Sequence, residues 1–158
     1  MSDASSPKRC PLVIRQATLD DSAVLVELIY TLYHNENPEA PFGLTATDIE
    51  KHWFGPVPKA YALLAYPQAD GSKPAGLLVY AFTFATFAGQ PRLWIEDLII
   101  RPECRGRGYG RQLLLAAEHI AEQEEACRLE LEVRADNTRA TALYRHLGFR
   151  KAAGQAYQ

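Results

Sequence analysis

Cysteine is scarce in this chain: Cys10, Cys104 and Cys127 are far apart and odd in number. They match no zinc-ligand spacing and cannot all pair with one another, so free thiols in a reducing compartment are expected. Long apolar runs are missing too. No stretch approaches the roughly 20 residues that cross a bilayer, and the start, MSDASSPKRCP, lacks the apolar core of a signal peptide. The expectation is a disordered tail over residues 1–11, a single domain over 12–158, and a soluble cytoplasmic protein with no membrane partner. An excess of charge of one sign is absent as well: a formal net charge of -2 excludes a broadly basic surface for nucleic acid. No segment repeats and none is of low complexity. The histidines His34, His52, His119 and His146 follow no metal-ligand spacing, and no metal is expected.

What is there suits a packed core. The chain has 158 residues, 47% of them hydrophobic and 23% charged, within the ordinary range for one globular domain. A short strand is expected over 12–17, followed by a helix capped by Thr18 or Asp20 and running to about His34. Its apolar positions Val24, Leu25, Leu28, Ile29 and Leu32 keep helical spacing. Pro38, Pro41 and Gly43 make a loop. Thr45, with Asp48 three residues on, resembles a capping box for a second short helix. Strands follow over 60–66, 76–87 and 92–100, with turns at ADGSKP and at Gly89-Gln90-Pro91. A helix over 108–122 buries Leu113, Leu114, Ala117, Ile120 and Ala121 on one side. A strand over 128–133 alternates Leu129, Leu131 and Val133 inward with Arg128, Glu130 and Glu132 outward. Asp136 or Asn137 caps a last helix that Gly148 closes, and a final strand starts at Phe149. The order β-α-α-β-β-β-α-β-α-β predicts an α/β fold, a mixed sheet with helices on both faces.

One window stands out. Between the strand ending at Ile100 and the helix opening near Gly108 lie four arginines, Arg101, Arg105, Arg107 and Arg111, against the single Glu103, a local charge near +3 on a slightly acidic chain. Gly106, Gly108 and Gly110 alternate with them. Glycine lets backbone approach a ligand closely. A helix start offers free N–H groups and the positive end of its dipole, and arginine adds a permanent fork of donors. The window is a candidate anion cradle. The dinucleotide fingerprint needs G-x-G-x-x-G, and here the series ends at Leu113. The nucleotide P-loop needs Gly-Lys-Ser/Thr, and no lysine is present. A glycine-rich turn with solvated arginines remains a reading of the glycines alone.

Arg105, Gly108 and Gly110 also match R/Q-x-x-G-x-G/A, the coenzyme A pyrophosphate motif of the GNAT superfamily of N-acetyltransferases. About 30 residues on, Asn137, Ala140, Leu143, Tyr144, Gly148 and Phe149 match its N-x-x-A-x-x-[LF]-Y-x-x-x-G-F pattern. The chain resembles that superfamily from Val13 to Phe149. VIRQAT, Asn35-Glu36 and LWIEDLIIRPECRGRGYG extend the resemblance to the diamine (polyamine) acetyltransferases.

The resemblance implies a GNAT-like sheet and an enzyme that moves acetyl from acetyl-CoA to a primary amine by direct attack. It implies that the backbone of Leu98, Ile99 and Ile100 pairs with the pantetheine arm like a missing strand, and that the Leu98 N–H polarises the thioester carbonyl. Arg105, Gly106, Arg107, Gly108, Tyr109, Gly110 and Arg111 would hold the pyrophosphate. Asn137 would bond the pantetheine region and Ala140 pack against the cofactor. Tyr144 would donate a proton to the leaving thiolate, although its spacing also fits a core tyrosine. An alkylamine near pKa 10.4 is only about one part in a thousand neutral at pH 7, so a base is needed. Glu96 is the candidate, through water. Glu36 and Asp97 would join it in attracting a cationic substrate, but strand alternation points Glu96 and Asp97 to opposite faces. The expected acceptor is a polyamine or a lysine-like amino acid. Protein lysine or N-terminal acetylation and a non-catalytic coenzyme A-binding module are the alternatives. A homodimer is the family-level expectation, covering a sheet edge.

Overall fold

A computed structural model describes residues 12–36, 38–67 and 73–151. The expected tail over 1–11 lies outside the described residues. Five strands form one sheet in the order β1-β2-β3-β4-β5: β1 Leu12–Gln16, β2 Tyr61–Pro67, β3 Gly76–Ala85, β4 Gln90–Ile100 and β5 Leu129–Leu131. The first three pairings are antiparallel and β4 runs parallel to β5. Four α-helices accompany them: α1 Ser22–Glu36, α2 Ala46–Trp53, α3 Tyr109–Gln123 and α4 Thr138–His146.

The mixed sheet is covered on both faces, because alternate residues of its central strands are apolar on both sides. Leu63, Ala65, Leu78, Leu93 and Ile95 pack with Leu113, Leu114 and Ala117 of α3 and Tyr144 of α4. Ala62, Leu64, Leu77, Val79 and Ile99 pack with Leu25 and Leu28 of α1 and Ile49 of α2. No helix among the described residues is long and apolar enough to cross a membrane.

Local rules account for most element ends. Thr45 caps α2, its hydroxyl oxygen accepting from the Asp48 N–H at 3.2 Å while the Asp48 carboxylate accepts the Thr45 N–H at 2.9 Å. Asn137, not Asp136, caps α4, accepting the Ala140 N–H at 3.1 Å. Gly148, at φ +92°, closes α4 in the left-handed region. Close approach explains Gly76: a Cβ there would lie 2.5 Å from Ile100 Cδ1 and 2.8 Å from the Ile99 carbonyl oxygen. The end of β4 therefore lies tightly against β3.

Four expectations need correction. A 3-10 turn, Leu19–Asp21, precedes α1; Thr18, not Asp20, is its N-cap, and Asp21 organises it. Its carboxylate accepts the Thr18 N–H at 2.7 Å and both ends of the Arg15 guanidinium at 2.7 and 2.9 Å. The β3–β4 hairpin turns over Thr86–Gly89, with Gly89 N–H bonded to the Ala85 carbonyl at 2.9 Å, so Gln90 and Pro91 already belong to β4. β5 has three residues, and Glu130 is buried rather than solvated. Arg92 at 3.0 Å and Arg128 at 2.6 Å hold its carboxylate on the face that simple alternation assigns to water. Phe149 and Arg150 lack strand structure and Lys151 makes an isolated bridge. The rest of the expected last strand lies outside the described residues.

The Arg15–Asp21 pair makes a prediction. Its hydrogen bonds hold the Asp21 carboxyl down at about 2, below the ordinary 3.8. The stabilisation is complete above the unfolded value and is lost as pH falls through the folded one. Asp21→Ala is expected to lower unfolding free energy by about 2 kcal/mol at neutral pH. In urea titrations, the deficit should shrink as pH approaches 2.

Candidate active site

An irregularity in β4 builds the site. Tyr80 of β3 faces Ile95, but the next residue, Val79, faces Asp97. Glu96 is thus one extra residue, a β-bulge, which bends its strand and adds twist. Pairing with β5 covers only Leu93, Trp94 and Ile95 and stops just before the bulge. From there to Ile100 the β5-side edge of β4 has no strand partner among the described residues. A cavity of about 490 Å³ lies along this open edge. Leu98, Ile99 and Ile100 line it, with Thr31, Leu32, Asn35 and Glu36 of α1 at one side and Asn137, Arg139, Ala140, Leu143 and Tyr144 at the other.

The glycine-arginine loop closes one end. Arg105, Gly106, Gly108, Tyr109, Gly110 and Arg111 line the cavity, whereas Arg107 does not. Arg105 donates from Nε to the Ile100 carbonyl at 3.1 Å, fastening the loop to the end of β4. Gly108 takes the N-cap position of α3 at φ +81°, and no side chain caps the helix. Such a start leaves its first N–H groups without intrahelical partners, aligned with the positive end of the dipole. Arg105, Arg107, Arg111 and Arg139 make no ion pair among the described residues. This end of the cavity can hold an anion of more than one charge.

The α4 wall is less polar. Asn137 spends its amide oxygen on the helix cap, which leaves its amide N–H donors for the cavity. Tyr144 is buried, its ring centroid 5.6 Å from that of Phe149. Burial pushes its hydroxyl above the usual tyrosine value, and no hydrogen bond engages that hydroxyl among the described residues. Arg139, Thr31 and Leu32 line the cavity and were not singled out from sequence as site residues. Arg139 had a usable signal, a cation in the first turn of a helix where an acid is favoured. Leu32 gave none, because its spacing is that of a core stripe.

The acidic side overturns one expectation. Ile95 faces α3 and α4, so Trp94 and Glu96 share the opposite face. Asp97, paired with Val79, lies on that same face, because the bulge resets the alternation. Trp94 Nε1 donates to a Glu96 carboxylate oxygen at 2.9 Å. Asp97 is half-buried and accepts no hydrogen bond among the described residues. Burial, reinforced by the charges of Glu96 and Glu36, raises its carboxyl to about 6. Glu36 lines the cavity; Glu96 and Asp97 do not. Beside Glu36 the loop after α1 is pinned by Phe42, whose ring lies 5.2 Å from Tyr30 and 5.3 Å from Tyr33, and by the Tyr33 hydroxyl, which donates to the Pro41 carbonyl at 3.1 Å. One cleft therefore joins a cationic end to Glu36 along an open strand edge, with Asp97 and Glu96 near Glu36 but outside the lining. No cluster of metal-ligand type occurs among the described residues.

The profile of the acetyltransferase (GNAT) family matches residues 26–149. The thialysine N-epsilon-acetyltransferase of Bos taurus is 28% identical over 142 residues, which are 87% of this chain and 83% of that protein. The spermidine/spermine N(1)-acetyltransferase-like protein 1 of Homo sapiens is 33% identical over 113 residues, 68% of this chain and 16% of its own length. A crystal structure of a probable acetyltransferase superposes with a TM-score of 0.77 at 20% identity, over 89% of this chain and 91% of its own, a likeness of fold.

Asp97 supplies the test of the site's electrostatics. Its folded value, about 6, lies above the ordinary 3.8. The native state therefore favours the protonated acid, and that contribution is lost as pH rises through 6. Asp97→Asn is expected to raise the melting temperature by about 3 °C near pH 7.5. The gain should be absent below about pH 4, where both states carry the proton. A loss of stability near pH 7.5 would contradict this account.

Proposed function

Given that the chain belongs to the acetyltransferase (GNAT) family and is an acetyl-transfer enzyme, we propose that it takes acetyl from acetyl-CoA and passes it to the primary amine of a small cationic molecule, a polyamine or a lysine-like amino acid. The observation that carries this reading is the cavity of about 490 Å³ along the open edge of β4, whose lining includes both the uncapped start of α3 and Glu36. The residues present fit coenzyme A. Free N–H groups at the start of α3, with Arg105 and Arg111, suit a pyrophosphate. Positive φ at Gly106 and Gly108, where an added Cβ would meet nothing within 4 Å, leaves the loop backbone open to close approach. The unpaired edge at Leu98, Ile99 and Ile100 suits an amide-bearing arm, with the Asn137 amide N–H groups and Ala140 across the cleft.

In this reading coenzyme A supplies a thioester, an activated acyl group with a thiolate leaving group. The chain's part is to position, polarise and move protons. The Leu98 N–H polarises the carbonyl. Tyr144 hydrogen-bonds the departing sulfur. An ordinary tyrosine at about 10 and a thiol at about 8.5 already make full proton donation uphill by roughly 2 kcal/mol, and burial of Tyr144 widens the gap. Its bond strengthens as charge grows on sulfur, and the proton follows. Glu36, Glu96 and Asp97 gather a cationic amine, and one of them takes its proton.

Two relatives bear names of small aliphatic amines, thialysine and spermidine/spermine, which supports a small acceptor over a peptide. A homodimer and a cytoplasmic location belong to the same reading; light scattering tests the first.

Incubated with acetyl-CoA and a panel of amines, the enzyme should release free thiol with small diamines or lysine analogues. Tyr144→Phe is expected to slow turnover about 10²-fold while acetyl-CoA binding, measured by calorimetry, changes little. Release driven better by peptides than by any small amine would overturn the acceptor. Equal turnover by the Tyr144 variant would overturn its role.

A further inference from the structure

We propose that Asp97, rather than Glu96, is the carboxylate that takes the proton from the acceptor ammonium, and that Trp94 is the positioning residue that keeps Glu96 in a binding role. The inference rests on the acetyl-transfer reading and assigns separate duties to two adjacent carboxylates.

Geometry separates them. In a regular strand the two carboxylates would lie on opposite faces, and one could not work with the other. The extra residue at Glu96 puts Trp94, Glu96 and Asp97 on one face. On that face Glu96 is exposed, and one of its oxygens already receives the Trp94 indole N–H at 2.9 Å. Such a charge-assisted bond holds the Glu96 rotamer. A fixed, solvated anion suits a cationic substrate, but it opposes loss of the substrate's proton. Asp97 differs in each respect. It is half-buried and has no hydrogen-bond donor among the described residues. The charged groups that face it are Glu96 on its own strand and Glu36 on α1, both acidic, while β3 places the apolar Val79 opposite. Its proton affinity is accordingly raised to about 6, near the operating pH, as an efficient general base requires. Two carboxylates whose surroundings differ in this way are matched to different roles.

The step balances. The ammonium gives one proton to the Asp97 carboxylate and becomes a neutral amine. The amine nitrogen attacks the acetyl carbon, the C–N bond forms and the C–S bond breaks. The second nitrogen proton goes to the departing thiolate, with Tyr144 bonded to the sulfur. Asp97 then returns its proton to water.

The experiment is a pH series of kcat and KM on the best amine for wild type, Glu96→Gln, Asp97→Asn and Trp94→Phe, with carbon-13 titration of side-chain carboxyls in the free protein. Asp97→Asn is expected to lower kcat about 10²-fold and abolish the acid limb of the kcat profile. Glu96→Gln should raise the amine KM by about tenfold, equivalent to one lost charged contact, and keep both kcat and the limb. Trp94→Phe should raise the amine KM several-fold in wild type and change nothing further in the Glu96→Gln background, the sign of action through Glu96. Should Asp97→Asn fail to fold, Asp97→Glu, which keeps a carboxylate, should retain the acid limb at reduced rate. Loss of kcat and limb in Glu96→Gln, alone or together with Asp97→Asn, overturns the assignment, as does an unchanged Asp97→Asn. A Trp94→Phe effect of equal size in both backgrounds overturns the positioning role. If no amine is turned over, it is the acceptor reading that has failed. The titration then decides the division between the carboxylates: an Asp97 midpoint near 4 overturns it.

Discussion

A single surplus residue in β4 sets the geometry on which the rest depends. Glu96 has no opposite number on β3, and three consequences follow from that miscount. Strand pairing with β5 ends at Ile95, because a bulge bends and twists its strand away from its neighbour. Among the described residues the edge beyond has no strand partner on the β5 side. The faces also exchange: Ile95 packs against α3 and α4, while Ile99 packs against α1 and α2. Asp97 then joins Glu96 on the side where α1 presents Glu36.

The cleft that results runs between opposite charges. At one end the first turns of α3 and α4 carry Arg111 and Arg139, cations placed where the helix dipole disfavours them. On the acidic side three carboxylates face one another, and one of them is driven well above its ordinary proton affinity. Neither arrangement is favourable to the fold by itself. Proteins break local rules of this kind where a ligand supplies the missing partner. Away from the cleft the rules are kept. Asp21 is satisfied by Arg15 and Thr18, and Thr45 and Asp48 cap each other. Buried Glu130 sits between two guanidinium groups. These polar groups are satisfied, and the cleft carries the uncompensated charge.

Much of this was legible from residue order. The order of elements predicted a mixed sheet with helices on both sides, and the two apolar clusters are where those helices pack. Gly108, Asn137 and Gly148 mark helix ends by backbone rules that involve only their neighbours. Asn137 and Tyr144 were visible as a spaced set, and the cavity does bring both together with the loop. The readings that needed correction share a cause. Glu130 was assigned to solvent and Asp97 to the face away from Glu96, because alternation assumes an unbroken strand with one wet side. Of the two caps considered, Thr18 serves and Asp20 does not; the acid that acts is Asp21, selected by the Arg15 guanidinium at the end of β1.

Local chemistry thus belongs to the sequence by itself: where most helices begin and end, and which loop can hold an anion. These depend on backbone conformations and periodicities that few residues specify. Tertiary structure alone decided register. Whether β4 carries one residue more than β3 requires is a property of two paired strands. No window of one strand contains it. That choice determines which side chains share a face, which edge stays open, and which of two adjacent carboxylates is withdrawn from water.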